Sequence, residues 1–272
     1  MTSLASLPVS DLRLSREQVL RQLTGLRVLD ANVGVGSRSV AFAGDLRHAD
    51  EILKDMDRCG ISQAIAFHYT AIENNPLVGN DLLMKEIADR ERLLPQWVLL
   101  PQSTSEFPPP HELASLLAER QVRCVRMAPK SHGYVFSSWC CGSVLEMLEE
   151  KRILLFMSVE EVDWDNLARV LSEFRQLQVV LTDTGYRIGR KVYPLLCKHC
   201  NLHMEYSDYV IHWGLEDLCN QIGPERFVFG SGLGRHEPGV PLTVLALADL
   251  PNESKRLLAA GNLARLLGLE EV

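Results

Sequence analysis

The chain lacks any apolar run of membrane-spanning length, so a transmembrane helix is not expected. Between Met1 and Ser10 it also lacks a basic flank followed by a long apolar stretch, so a secretory leader is not expected either. Lys and Arg are not clustered. They number 28 against 35 acidic residues, for a net charge of −7 and a pI near 5.7. That balance argues against a nucleic-acid surface. It does not exclude a small anionic ligand, because one basic pocket can sit in an acidic protein. The seven cysteines are an odd number in a chain too large to need disulfide staples, and a reduced, cytoplasmic setting is expected. No linker, internal repeat or low-complexity segment divides the sequence.

What is present is enough for one large core: 272 residues, 46% hydrophobic and 23% charged. Short apolar runs alternate with helical patterns, the rhythm of parallel strands with helical crossovers. Strands are predicted at Leu26–Asn32, Gln63–His68, Leu94–Leu100, Val122–Ala128, Ile153–Ser158, Gln178–Asp183, Asn201–Ser207 and Arg226–Ser231. Eight is the number that closes a barrel. Helices are predicted at Ala49–Cys59, Pro76–Glu91, Pro110–Arg120, Ser143–Lys151, Trp164–Arg175, Gly189–Cys200, Ile211–Ile222, Val240–Leu250 and Asn252–Leu267, the last interrupted by Gly261. The expected architecture is a single α/β (β/α)8 TIM barrel over 26–272, with an N-terminal extension over 1–25 carrying a short helix, Ser15–Leu23. An open doubly wound sheet is the alternative.

Four segments carry a resemblance: Leu29-Asp30-Ala31-Asn32-Val33-Gly34, Val179-Val180-Leu181-Thr182-Asp183-Thr184-Gly185, Phe227-Val228-Phe229-Gly230-Ser231-Gly232, and Gly261-Asn262-Leu263-Ala264-Arg265-Leu266-Leu267-Gly268. In that order they resemble the amidohydrolase superfamily, and within it the TIM-barrel hydrolases and decarboxylases. The resemblance implies a metal site at the C-terminal ends of the strands, but its ligands are replaced. Asn32 and Gly34 stand where two His would, Asp183 where another His would, and Gly232 where an Asp would. Strand five, Leu155-Phe156-Met157-Ser158, brings no nitrogen or carboxylate. Too few donors remain for a catalytic zinc, so no metal and no cofactor is expected.

The candidates are then the polar residues at strand ends. Asp183 is the candidate general base, His68 the acid or second orienting group, and Arg126 the group that holds a carboxylate or steadies an oxyanion. Asn32, Lys130, Tyr186, Arg187, Ser231 and Arg235 are candidate substrate-binding residues. Alternation puts Asp30 and Asn32 on the same inward face. Each has a structural reading beside the functional one: Arg126 pairing with Asp30 or Asp183, Asp183 bridging to Arg187, His68 as a hydrogen-bonded core residue, and loop charges merely solvated.

Two other constellations are weaker. Cys197-Lys198-His199-Cys200, followed by His203, has zinc-like spacing but falls at the N-terminal face of the barrel with no second ligand pair. Gly230-Ser231-Gly232-Leu233-Gly234 lacks the Lys-Ser/Thr of a P-loop. The reading is therefore a hydrolase-like or decarboxylase-like barrel acting on a small carboxylate-bearing molecule without the usual metal. The alternative is a catalytically silent barrel that binds a small anion or a protein partner. No nucleic-acid or membrane partner is expected, and a homodimer is left open.

Overall fold

The structure is a computed structural model that describes residues 15–40 and 44–269. Its eight strands follow one another around a single sheet in sequence order. They are β1 Leu29–Val35, β2 Gln63–His68, β3 Leu93–Val98, β4 Cys124–Arg126, β5 Leu154–Ser158, β6 Val179–Thr182, β7 Leu202–Glu205 and β8 Phe227–Val228. All neighbouring pairs are parallel. Ala31 N donates to Phe229 O at 2.9 Å and Gly34 N to Leu233 O at 3.0 Å, which brings β8 and its loop against β1. This is a (β/α)8 barrel, and the open-sheet alternative falls.

The helices are α1 Arg16–Gln22, α2 Ala49–Cys59, α3 Tyr69–Glu73, α4 Pro76–Glu86, α5 Pro110–Glu119, α6 Ser138–Glu150, α7 Trp164–Glu173, α8 Gly189–Lys198, α9 Gly214–Ile222, α10 Gly239–Leu247, α11 Asn252–Arg256 and α12 Asn262–Leu267. Their ends have local causes. Ser15 caps α1 and shares a capping box with Gln18. Asn75 caps α4 ahead of Pro76, and Asp163 Oδ1 accepts from Asn166 N at 2.9 Å at the start of α7. Gly60 ends α2 in the left-handed region, φ 72°. Helix α1 packs on α10. Of the expected extension, residues 1–14 lie outside the described residues.

Side chains alternate along each strand, and two apolar clusters separate accordingly. Ala64, Ala66, Val125, Met127, Leu155, Met157, Leu181 and Met204 face the helices. Leu29, Ile65, Cys124, Leu154, Phe156, Val180 and Val228 fill the barrel. Ala260, Leu263, Ala264 and Leu267 join the inner cluster, so the last helix covers the N-terminal end. Among the described residues no helix is long and apolar enough to cross a membrane.

Several boundaries differ from expectation for physical reasons. Strand β1 runs three residues past Asn32, because Gly34 is part of the strand rather than a loop. The first turns of α6 precede Gly142, where a Cβ would meet nothing within 4 Å. Helix α9 begins after Trp213, whose φ of 55° breaks the helix expected from Ile211. The C-terminal helix is interrupted at Leu257–Gly261 by a wide π-type turn rather than a gap.

Candidate functional site at the barrel mouth

A cavity of about 250 Å³ opens at the C-terminal ends of the strands. Asn32, Gly34, Asp183 and Gly232, the four positions where the resemblance places ligands, all line it. Arg126 and Arg235 line it too, with the aromatic rings of Phe67 and Tyr69.

Asp183 follows β6 directly. Its φ of 56° is a left-handed conformation that Asp adopts more readily than most residues. Arg235 Nη2 donates to its Oδ1 at 2.7 Å, and Asn32 Nδ2 donates to the same atom at 3.1 Å. Thr182 Oγ1 donates to Oδ2 at 3.2 Å. Burial raises the Asp183 pKa, but Arg235 first and Arg126 second more than offset that, and it lies below the usual carboxylate range. Asp183 is therefore ionised.

Arg126, from β4, lies inside the barrel. It donates from Nε to Gln96 Oε1 at 2.7 Å, from Nη1 to Thr182 Oγ1 at 3.3 Å, and from Nη2 to Asn32 Oδ1 at 2.8 Å. Its guanidinium sits 4.4 Å from the Phe67 ring centroid. Burial lowers its pKa, Asp183 supports its charge, and Arg235 opposes it. Asn32 thus bridges Arg126 to Asp183.

A β-bulge puts Asn32 there. The register with β2 slips between Asp30 and Val33. Asp30 stands opposite Ala64, which faces the helices, so Asp30 and Asn32 do not share the inward face as plain alternation would have it. Asp30 instead accepts from Ser231 N at 2.9 Å and from the Ser231 hydroxyl, behind the barrel wall. Burial lifts its pKa to about 6 against these hydrogen bonds. Ser231 is thereby a strand-closing residue rather than a lining one.

The other candidates divide. Asn32, Arg126, Asp183 and Arg235 are brought together. His68 is not, because Ile65 and Phe67 point inward on β2 and His68 has the opposite parity. Its Nδ1 accepts from Thr70 N at 3.1 Å and caps α3. Its ring packs so closely on Gly36 that a Cβ there would overlap it. Lys130 turns away and donates to Glu160 O at 2.6 Å. Tyr186 and Arg187 stack on each other at the surface, outside the cavity lining.

Sequence reasoning missed Glu205 and Gln96 as parts of this site. Glu205 shares the inward parity of His203 on β7, which was the signal available. It is completely buried. It accepts from Asp183 N at 3.3 Å and from Ser207 N. Burial pushes its pKa up to about 8, with the Ser207 hydrogen bonds acting against that shift.

The donors do not fit a divalent cation. Asp183, the buried carboxylate of the cavity, already carries the Arg235 guanidinium, and a second guanidinium, that of Arg126, stands behind Asn32. Among the described residues no three His, Cys, Asp or Glu are grouped to hold a metal. At the opposite end of the barrel, Cys197 and Cys200 are exposed while His203 points inward, its Nε2 2.9 Å from Gln178 Oε1.

The loop after β8 presses on the end of β1. A Cβ on Gly234, whose φ is +97°, would overlap Gly34 O. Gly234→Ala should therefore cost about 2–4 kcal/mol, combining left-handed strain with overpacking. Urea unfolding measures this, and a cost below the scatter of surface substitutions would show that the two loops do not touch.

No protein-family model matches the chain, and no curated protein does. Solved structures do. A 5-carboxyvanillate decarboxylase from Sphingomonas paucimobilis has a TM-score of 0.68 at 15% identity, covering 90% of this chain and 100% of that one. The corresponding enzyme from Novosphingobium aromaticivorans, with bound manganese and 3-methoxy-4-hydroxy-5-nitrobenzoic acid, scores 0.72 at 11% identity, covering 90% and 98%. A probable 2-pyrone-4,6-dicarboxylic acid hydrolase from Acinetobacter baumannii, with citric acid bound, scores 0.65 at 14% identity, covering 90% and 100%. The shared object is the fold. These neighbours are TIM-barrel decarboxylases and hydrolases of the amidohydrolase superfamily.

Proposed function

We propose that this chain is a divergent amidohydrolase-superfamily barrel that binds a small carboxylate-bearing molecule at its mouth. We further propose that it hydrolyses or decarboxylates that molecule without a resident divalent metal. One observation carries the reading: Arg126 and Arg235 converge on a single ionised carboxylate, Asp183, at a cavity. At the buried end of the cavity two guanidiniums face one carboxylate, while Glu73, Glu160 and Glu161 line its more exposed part, so the uncompensated positive charge is confined to the low-dielectric end. A ligand carboxylate would supply the missing anion, and guanidinium geometry suits it. The acids held by the structural neighbours are of this class.

Asp183 is a weak base while Arg235 holds it. A bound anion that draws Arg235 toward itself would raise the Asp183 pKa and free the carboxylate to take a proton. Arg126 would then steady the negative charge that develops on the ligand.

A second reading is favoured by the pairing itself. Arg126, Asn32, Asp183 and Arg235 form a closed chain of hydrogen bonds, as in a barrel that binds an anion and does nothing more.

The test is a thermal-shift and turnover panel of aromatic carboxylates, dicarboxylates and lactones. Saturation at about 100 times Kd should raise the melting temperature by roughly 5–10 °C. Product formation abolished in Asp183→Asn supports the enzyme, and stabilisation without product supports the silent binder. If no acid stabilises the protein, or Arg235→Ala responds as wild type does, the anion site is wrong. About one equivalent of zinc or manganese retained through gel filtration, and lost in Asp183→Ala, would overturn the metal-free part.

A further inference from the structure

Gly34 and Tyr69 fit each other in a way that the sites above do not use. Gly34 stands on the inward face of β1, opposite Phe67. A Cβ at Gly34 would overlap the Cζ and hydroxyl of Tyr69. The missing side chain is thus what lets the Tyr69 ring lie across the end of β1. That is the space into which a side chain at position 34 would project.

The ring is held from two sides. Phe67 meets it edge-on, with centroids 5.3 Å apart and planes at 78°. The Arg38 guanidinium sits 5.5 Å from its centroid. Tyr69 is 7% exposed, and it lines the cavity. The residue is more than nine-tenths buried and lines the cavity, and no hydrogen bond ties its hydroxyl to another described residue, so the hydroxyl is available to a molecule in the cavity. The charges that reach it belong to Arg235, Arg38, Asp183 and Asp45. Burial pushes the phenol to about 12, so at neutral pH it is an O–H donor.

Building on the anion-binding reading, we infer that Tyr69 is a ligand-binding residue whose hydroxyl donates a hydrogen bond to the bound carboxylate, beside the guanidinium of Arg235. The site then offers the ligand a neutral donor beside the guanidiniums of Arg126 and Arg235. The neutral donor favours an acceptor oxygen without adding a further cation beside the two buried guanidiniums. It also stands where His68 was expected to act: one residue along, on the other parity, inside the cavity.

Two arms test this, one free of any ligand. In the first, Gly34→Ala should destabilise the wild type clearly and should cost little in a Tyr69→Ala background, where the ring is gone. An equal cost in both backgrounds would overturn the placement of Tyr69. In the second, calorimetry with benzoate and citrate as probes compares wild type with Tyr69→Phe. The phenylalanine keeps the ring against Gly34 and Phe67, so the melting temperature of the free protein should hold within a degree or two. Affinity for whichever probe binds should fall roughly 10-fold or more, as expected for a lost hydrogen bond to a charged group. Unchanged affinity in Tyr69→Phe, with wild type binding, overturns the role of Tyr69 and leaves the anion site standing. No binding of either probe to wild type removes the anion site and this inference with it.

Discussion

Arg126→Met should leave the ligand-free protein as stable as wild type or up to about 2 kcal/mol more stable, while abolishing its response to organic acids. An arginine buried for structure would behave in the opposite way. Removing one partner of a compensated buried pair costs about 3–5 kcal/mol. Arg126 is not so compensated. Its three hydrogen bonds run to the neutral groups of Gln96, Asn32 and Thr182. Asp183, the carboxylate that supports its charge, is in direct contact with Arg235 instead, and Arg235 opposes the charge of Arg126. Methionine fills most of the volume and removes an under-neutralised cation, at the expense of donors for two amides that can turn. Arg126→Ala is the control, because it removes the same charge but leaves a hole, and should lose about 2–5 kcal/mol. Urea midpoints at pH 7 on dialysed protein decide the matter. A loss of 3 kcal/mol or more in Arg126→Met would make Arg126 a scaffold residue and would remove the main support for an anion pocket.

The parts of the fold legible in the sequence were those whose cause is local. Ala49–Cys59 and Gln63–His68 were read to the residue, because Gly60 marks one boundary and an unbroken apolar run marks the strand. Eight such runs sufficed for the barrel. The site was legible only where parity along the strand was known. Arg126 and Asp183 follow from plain alternation or from the strand end. Asn32 came out inward for a reason the sequence does not show, a bulge that separates it from Asp30. His68 lies off the cavity because Ile65 and Phe67 take the inward parity of β2. Glu205 was hidden because the apolar pattern extends β7 to Ser207, whereas the strand ends at Glu205 itself. In its own segment Tyr69 is marked only as a polar residue just past a strand end. Its position depends on Gly34, thirty-five places earlier and across a strand pair, where the absence of a side chain is the signal.

Between pH 6.5 and 8 the protein should lose about 2 kcal/mol of stability, and Glu205→Gln should lose little over the same range. Glu205 ionises near 8 in the folded chain against 4.5 when unfolded, chiefly because burial penalises its charge. Between those values the folded state keeps a proton that the unfolded state has released, so stability falls as pH rises and the loss is complete only above about 8. Asp30 has the same sign, but its window closes near 6. His203 has the opposite effect. It is buried and holds its pKa near 3, so its contribution to stability is present above the unfolded value of 6.5 and lost as pH falls. Asp183, depressed by its arginines, weakens the fold only below about 3.8. Above about pH 6.5 neither Asp30 nor His203 changes its contribution, so Glu205 should dominate the neutral-to-alkaline side. Gly230 makes room for this buried side chain, since a Cβ there would come within 2.5 Å of Glu205 Cγ. Denaturant titrations at half-unit pH steps measure the slope, and parallel curves for wild type and Glu205→Gln would mean that Glu205 is ionised in the fold. The same proton bears on the anion site. Glu205 lies beside Asp183 and accepts from its backbone N–H. When it ionises, a second negative charge appears near the place where the ligand carboxylate would sit. Acid affinity should therefore weaken on the alkaline side of about pH 8 in wild type and hold steady in Glu205→Gln. A merely structural glutamate would not produce that difference in affinity.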